Sequence, residues 1–379
     1  MGPWFGPREA RLGGAQLGNL SQGTLLELTG RIDDLYRVRL SAIRSAWVPV
    51  SAVRGLPAGT HPPRTLVGSS TLRGSERADE FVLPLEQRVP YLLEPSVDPP
   101  ALILHLFGAT SNLTWMTRYL SAEAIKRVAW EQESEDHLKF RLELAQPPVW
   151  GYGAEYEEGS SRLKIFVRRS PRLADSSRKP LAGLTITVDP GHGGSNQGAL
   201  GALGIQEKKI NLETAMVLKE KLERAGAKVL LSRQGDKYEE NIERPLRAMR
   251  AGADLFLSLH CNSIGLAGDP LAASGVSVYT RYEAFQPLAQ SLYRRLVAMG
   301  LEEYGMVGSF NSSVVKFSDI PSVLVELAFL SHPEDEAKLI DPEFRSRAAD
   351  AIVQGLLDFL QVERNGELIA QPGNLRKGG

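Results

Sequence analysis

The chain has 379 residues, enough for two or three domains of roughly 100–200 residues each and for a sizeable core. Apolar residues make up 42% and charged residues 23%, which excludes collagen-like, mucin-like and wholly disordered chains. With 44 Lys and Arg against 45 Asp and Glu the net charge is −1, too little positive charge for a nucleic-acid binder. No apolar run approaches the ~18 residues of a membrane span.

The opening stretch MGPWFGPREARLGG has no basic head followed by an apolar run, so it is not a secretory signal as written. The chain is either cytoplasmic, or its signal has been removed or lies upstream. Residues 1–20 show no period and read as a loose leader. Residues 21–56 read as a small β-barrel. In it Tyr36, Val38 and Leu40 alternate with Arg37 and Arg39, and a further strand runs Ala46–Val50. The stretch LLELTGRIDDLYRVRLSAIRSAWVPVSAV resembles bacterial Src-homology-3-like modules, in which Trp47 would be a core or groove aromatic. The alternative is a hairpin belonging to the next domain.

Residues 57–79 are rich in Pro, Gly, Ser and Arg and read as a linker. From 80 to 170 two-residue alternation returns. Leu102, Leu104 and Leu106 alternate with Ile103 and His105; Leu138, Phe140, Leu142 and Leu144 with charged residues; Leu163, Ile165 and Val167 with Lys164 and Phe166. Repeated strands of this kind, broken by Pro and Gly turns, predict a β-sandwich, with one helical piece around Ala122–Val128. His105 and His137 read as polar partners on solvated strand faces, with no metal pair between them. The run RRSPRLADSSRKP, 168–180, reads as exposed linker that could touch an anionic polymer, and 171–182 as the linker proper.

The pattern changes after 182. Apolar runs at Leu184–Val188, Lys228–Ser232, Leu255–His260, Gly275–Thr280 and Val323–Leu327 alternate with helical stretches. The first helix carries Leu212, Ala215, Leu218, Leu222 and Ala225 and stops at Gly226. Others fit Glu239–Ala251, Phe285–Met299 and Pro342–Leu360. Strands buried on both faces and alternating with helices predict an α/β domain over 183–363, with a mainly parallel sheet and helices on both faces. The chain as a whole is then multidomain, with all-β modules preceding this α/β domain. The tail, 364–379, is polar and reads as disordered.

In open α/β sheets ligands gather at the carboxyl ends of strands. After the first strand comes Asp189-Pro190-Gly191-His192-Gly193-Gly194, a tight turn from which His192 projects. His260 ends the third apolar run, Glu326 ends Val323–Val325, and Glu207 opens the first helix. Two histidines and one carboxylate are a usual catalytic zinc set, and a second carboxylate could serve as base. Each residue also has a plain structural reading: His192 as a turn cap, His260 as a core histidine, Glu207 as a carboxylate complementing the helix dipole. Glu326 within Val-Leu-Val-Glu-Leu is harder to place, because burying an unpaired carboxylate is costly. Spacing alone does not decide between these readings. The single cysteine, Cys261, excludes an intramolecular disulfide and a Cys-based metal cluster.

The pieces TITVDPGHGGSNQGALG, GIQEKKINLETAMVLKEKLERAGAKVLLSR, IERPLRAMRAGADLFLSLHCN and PSVLVELAFLSHPEDE occur in this order over 184–360. Together they resemble the zinc-dependent N-acetylmuramoyl-L-alanine amidases of bacterial cell-wall turnover. The resemblance implies that His192, Glu207 and His260 bind Zn2+ and that Glu326 is the catalytic base. It implies hydrolysis of the amide between N-acetylmuramic acid and L-alanine of peptidoglycan stem peptides. The other readings are a zinc peptidase for another stem-peptide bond and a non-catalytic peptidoglycan-binding protein.

The chain departs from the family's usual pattern at Cys261, where Ala is common, and at His332, where Asn is common. Cys261 reads as a small buried residue rather than a nucleophile or fourth ligand, and His332 is not made a ligand. The segment Ser263–Ser274 is too short and too rich in Gly and Pro for the occluding helix some relatives insert there. The preceding sandwich is similar in position and strand pattern to AMIN modules, which localise such amidases on the envelope. The partners implied are peptidoglycan or muropeptides and a protein activator at the envelope, and the place implied is the periplasm or cell wall.

Overall fold

The structure, a computed structural model, describes residues 18, 20–57, 59–174, 178–265 and 268–365. The leader residues 1–17 and 19 and the tail from 366 lie outside the described residues. The chain forms two compact units, Met1–Ser170 and Pro171–Gly379.

The first unit opens with strands β1 (Glu27–Ile32), β2 (Leu35–Arg39) and β3 (Ser45–Pro49), paired antiparallel in that order. Val38, Leu40, Ala46 and Val48 are buried and pack with Leu92 and Phe107, so the small sheet shares its core with the strands that follow. Trp47 is only half-buried and lies outside that cluster, because the inward positions of β3 are Ala46 and Val48. The following strands are β4 (Thr65–Gly74), β5 (Ala78–Pro84), β6 (Tyr91–Ser96), β7 (Ala101–Phe107), β8 (Ala109–Arg118), β9 (Ile125–Ser134), β10 (His137–Leu144), β11 (Tyr152–Tyr156) and β12 (Arg162–Arg168). They make two sheets, β6-β7-β10-β9 and β11-β12-β5-β4-β8. Phe81 of one and Phe140 of the other meet at 5.5 Å between ring centroids. The alternation is realised: Leu138, Phe140, Leu142 and Leu144 are buried, as are Leu163, Ile165 and Val167.

Three expectations fail here. The stretch 57–79 is not a linker throughout, since β4 and the start of β5 lie in it. Buried Thr65, Val67, Ser70 and Leu72 face inward, and a register shift after Val67 breaks the alternation that would have revealed them. The helical piece at Ala122–Val128 is instead a turn leading into β9, whose first amide, Ile125 N–H, donates to buried Asp79 at 2.9 Å. Arg169, in the run read as exposed linker, pairs with the same carboxylate (Nε to Oδ1 3.0 Å) and so belongs to the sandwich.

The second unit contains β13 (Thr185–Pro190), α1 (Glu207–Arg224), β14 (Lys228–Leu231), α2 (Glu243–Arg250), β15 (Leu255–Asn262), β16 (Val276–Tyr279), α3 (Gln286–Val297), β17 (Glu303–Val307), β18 (Ser322–Phe329), α4 (Pro333–Ile340) and α5 (Pro342–Asn365). The sheet order is β14-β13-β15-β18-β16-β17. Every adjacent pair is parallel except β16 with β18. Strand β17 escapes sequence reading because it is an edge strand, and its residues Glu-Tyr-Gly-Met-Val are all exposed or half-buried. The buried stripe of α1 is Ile210, Thr214, Ala215, Leu218 and Leu222, while Leu212 and Ala225 are half-buried. The stripe carries Asn211 with it, and that residue reaches the site described below. The last helix runs on to Asn365, past the point where the tail was expected to begin. Among the described residues no helix is long and apolar enough to cross a membrane.

Candidate active site

The order β14-β13-β15-β18 brings the carboxyl ends of β13, β15 and β18 side by side. His192 leaves the turn after β13, His260 lies near the end of β15, and Glu326 stands opposite His260 in the β15–β18 register. Glu207, the first residue of α1, comes in beneath them. The donor atoms of His192, Glu207 and His260 all lie within 4.8 Å of one another. His192 Nε2 is 3.0 Å from Glu207 Oε2, and His260 Nδ1 is 2.9 Å from Glu207 Oε1. The two imidazole rings stand edge to face at 4.8 Å.

Glu207 is not a helix-dipole carboxylate facing water. It is 3% exposed, and its oxygens accept from Ala199 N–H (2.8 Å), Cys261 N–H (3.1 Å) and Asn211 Nδ2 (3.2 Å) as well as facing both imidazoles. Burial pushes its carboxyl up, but hydrogen bonds from His192 and His260 and the charge on those rings outweigh burial and hold it well below the usual carboxylate range. The same carboxylate outweighs burial at His192 and raises that imidazole.

Two glycines make this approach feasible. A Cβ on Gly191 would sit 2.2 Å from His260 Cε1 and Nε2. One on Gly198, whose φ is +71°, would sit 2.4 Å from Glu207 Oε2. Any side chain at either place would push a donor out of the cluster.

The turn carrying His192 is held by two arginines that sequence reading passed over. Arg233 donates to the carbonyl oxygens of Pro190 (2.9 Å) and Gly191 (3.0 Å). Arg244, 1% exposed, donates to those of Pro190 (3.1 Å) and His192 (2.8 Å). Arg244 also pairs with Asp189 Oδ1 at 2.7 Å, and Asp189 accepts from Ser232 and Ser258 as well. The His192 ring is set by Asn196, whose Oδ1 lies 2.9 Å from Nδ1. An amide oxygen only accepts, so Nδ1 carries a hydrogen, and Nε2, which gives its own hydrogen to Glu207, is the nitrogen that would exchange that hydrogen for a metal. Asn196→Ala is expected to weaken zinc retention about 10–100-fold while leaving the fold intact. Zinc content after graded chelator competition measures it.

Glu326 is half-buried, and its Oε2 is fully covered without a hydrogen-bond partner among the described residues. Burial, and then the charge of Glu207, push its carboxyl well above the usual range. A covered carboxylate with no donor beside a cluster of two imidazoles and one carboxylate is costly unless a cation or a proton meets it. The donor set therefore fits a divalent metal of the zinc type, with one carboxylate left over for proton transfer.

Cys261 is 3% exposed, and burial, Glu207 and Glu326 raise its thiol well above its ordinary value. It is neither a thiolate nucleophile nor part of the donor cluster; its Sγ donates weakly to Asn211 Oδ1 at 3.5 Å. His332 occupies the N-cap position of α4 without a side-chain cap bond, its Nδ1 is covered and unpartnered among the described residues, and it is not one of the three clustered donors. The described residues of 263–274 form no helix.

Residues 186–358 match a family model described as N-acetylmuramoyl-L-alanine amidase. The N-acetylmuramoyl-L-alanine amidase LytC of Bacillus subtilis is 37% identical over 195 residues, covering 50% of this chain and 38% of LytC. The probable cell wall amidase LytH of Staphylococcus epidermidis is 36% identical over 185 residues, 48% of this chain and 60% of that relative. LytH of Staphylococcus aureus is 31% identical over 237 residues, 60% of this chain and 76% of that relative. The chain thus spans less than two thirds of the length of the first two of these relatives.

Proposed function

The chain belongs to the N-acetylmuramoyl-L-alanine amidase family, and from that premise we propose that it hydrolyses the amide between N-acetylmuramic acid and L-alanine of peptidoglycan stem peptides. The observation that carries this reading is the convergence of His192, Glu207 and His260 beside the unpartnered carboxylate of Glu326. His192, Glu207 and His260 would hold zinc. When bound, zinc supplies a Lewis acid that polarises the amide carbonyl and makes water more acidic.

The chain's own residues do the rest. Glu326 takes the proton of the attacking water on its covered oxygen, and the raised proton affinity of that carboxyl suits the task. It then gives the proton to the departing amine, which leaves badly as an anion. Asn196 fixes the His192 ring, and Arg233 and Arg244 fix the backbone on which it rides.

The proposal extends to the surroundings. Strand β15 is buried over five consecutive residues, Leu255–Leu259, which supports helices on both faces of a mainly parallel sheet. The strands β1–β3 form a three-stranded sheet whose core includes Leu92 and Phe107, so 21–56 is read as an extension of the following sandwich and not as a separate Src-homology-3-like barrel, while the two facing sheets support an AMIN-like module. The domain limits 80–170 and 183–363 stay part of this reading, with β1–β4 added to the first of these. The relatives named as probable cell wall amidases support a place at the cell wall with peptidoglycan as substrate; an envelope protein as activator stays part of this reading.

The test is mass spectrometry of purified peptidoglycan after incubation with the full chain, with and without a zinc chelator. The expected result is chelator-sensitive release of stem peptides bearing a free L-alanine amine. Cuts elsewhere in the stem would make the chain a peptidase. Wall binding without release, by protein that holds zinc, would make it a binding module.

A further inference from the structure

A second cluster lies in the first unit, far along the chain from the residues above. It draws one residue from each strand of the sheet β6-β7-β10-β9. Glu94 Oε2 of β6 is 3.0 Å from His105 Nε2 of β7; His105 Nδ1 is 2.9 Å from His137 Nε2 of β10; His137 Nδ1 is 3.2 Å from Glu133 Oε2 of β9. Both histidines are 8% exposed, so they are not the solvated strand-face residues that the alternation suggested. Glu133 is the residue the ladder skips: His137 pairs with Ser134 and Leu138 with Gln132. Such a bulge re-aims a side chain, and here Glu133 meets His137.

Counting hydrogens exposes a conflict. A carboxylate only accepts, so His105 Nε2 and His137 Nδ1 must carry the hydrogens that face Glu94 and Glu133. A neutral imidazole has one such hydrogen. The inner nitrogens, His105 Nδ1 and His137 Nε2, are then both lone pairs, and they face each other at 2.9 Å. A positive centre between them removes the repulsion. Imidazoles backed by carboxylates on their outer nitrogens are the usual way in which proteins present histidine to a metal. The donor atoms of His105, Glu133 and His137 lie within 4.8 Å of one another. The local charge also favours a cation. Glu94, Glu131 and Glu133 outnumber the two cations that contact them, Arg44 and Lys139. The side chains of Glu133 and Glu94 are 32% and 47% exposed, so the two outer ends of the cluster meet solvent.

We propose that His105 and His137 form a second metal site, specific for a divalent first-row transition ion of the zinc or copper(II) type, with Glu94 and Glu133 orienting the two rings. The ion would tie together all four strands of one sheet of the sandwich, at a place independent of the amidase site.

The test uses the full chain and zinc chloride. Wild-type protein and the double variant His105→Ala/His137→Ala are loaded with zinc and desalted, and zinc per chain is measured by mass spectrometry. The expected result is one equivalent fewer in the double variant, whatever the occupancy of the other site. Should the variant fail to fold, anomalous diffraction from zinc-soaked wild-type crystals is expected to show a peak between His105 Nδ1 and His137 Nε2. Equal zinc content in the two folded proteins, or no such peak, would overturn the proposal. So would a 15N spectrum in which a proton shared by the two rings persists at saturating zinc.

Discussion

Glu326→Ala is expected to keep its zinc and lose about 10²–10⁴-fold in turnover, the range that a positioned acid–base group contributes. The carboxylate stands beside the donor cluster but outside it, so removing it leaves His192, Glu207 and His260 to bind as before. By contrast His192→Ala and His260→Ala should lose zinc and turnover together. Zinc per chain and release of stem peptides, measured on the same samples, separate the two classes. A Glu326→Ala protein without zinc would contradict this division of labour.

The same residue carries a stability prediction of opposite sign. Its carboxyl is raised above the ordinary value of 4.5, so in the metal-free protein it holds a proton over a range where the unfolded chain has released one. The folded state then binds more protons, and stability falls as pH rises from about 4.5 towards the raised value. Glu326→Gln has no such charge to bury. In chelator-treated protein its melting temperature should exceed that of wild type at neutral pH, and the gap should close on acidification. A residue whose removal stabilises the fold while stopping the reaction is retained for the reaction.

The four residues that meet in the candidate site were legible in the sequence because each follows or opens an apolar element, and the ends of parallel strands converge by construction. The residues that orient them were not. Asn196 is one polar residue in a Gly-rich turn. Arg244 is one of three arginines spaced along α2, and only its burial, at 1% exposure, separates it from Arg247 and Arg250. The His105–His137 pair was missed for a related reason. Its rings meet only because β7 and β10 pair with His137 opposite Phe107, two residues along from His105. That register is set by the packing of both strands and is not written in either one. Strand β4 was hidden by Gly68, Ser69 and Ser70, small residues that read as linker but here line a central strand.

Arg244→Met is expected to cost about 3–5 kcal/mol of stability, because it leaves the Asp189 carboxylate buried without its countercharge. Asp189 is fully buried, and in the intact protein burial is outweighed by Arg244 and by hydrogen bonds from Ser232 and Ser258, so its carboxyl lies below the ordinary 3.8. A depressed carboxyl contributes stability that is fully present above about 3.8 and is lost as pH falls through the folded value. Without Arg244 burial takes over, the carboxyl moves up, and the dependence reverses: the variant should gain stability on acidification. Denaturant unfolding at several pH values tests the reversal directly. Asp189→Asn/Arg244→Met removes both charges and should cost much less than the two single changes added together. Its zinc affinity should stay low even so, because the carbonyl oxygens of Pro190 and His192 have still lost the guanidinium that holds the turn. Stability recovered without metal recovered would separate the two roles of Arg244, one towards the core and one towards the site.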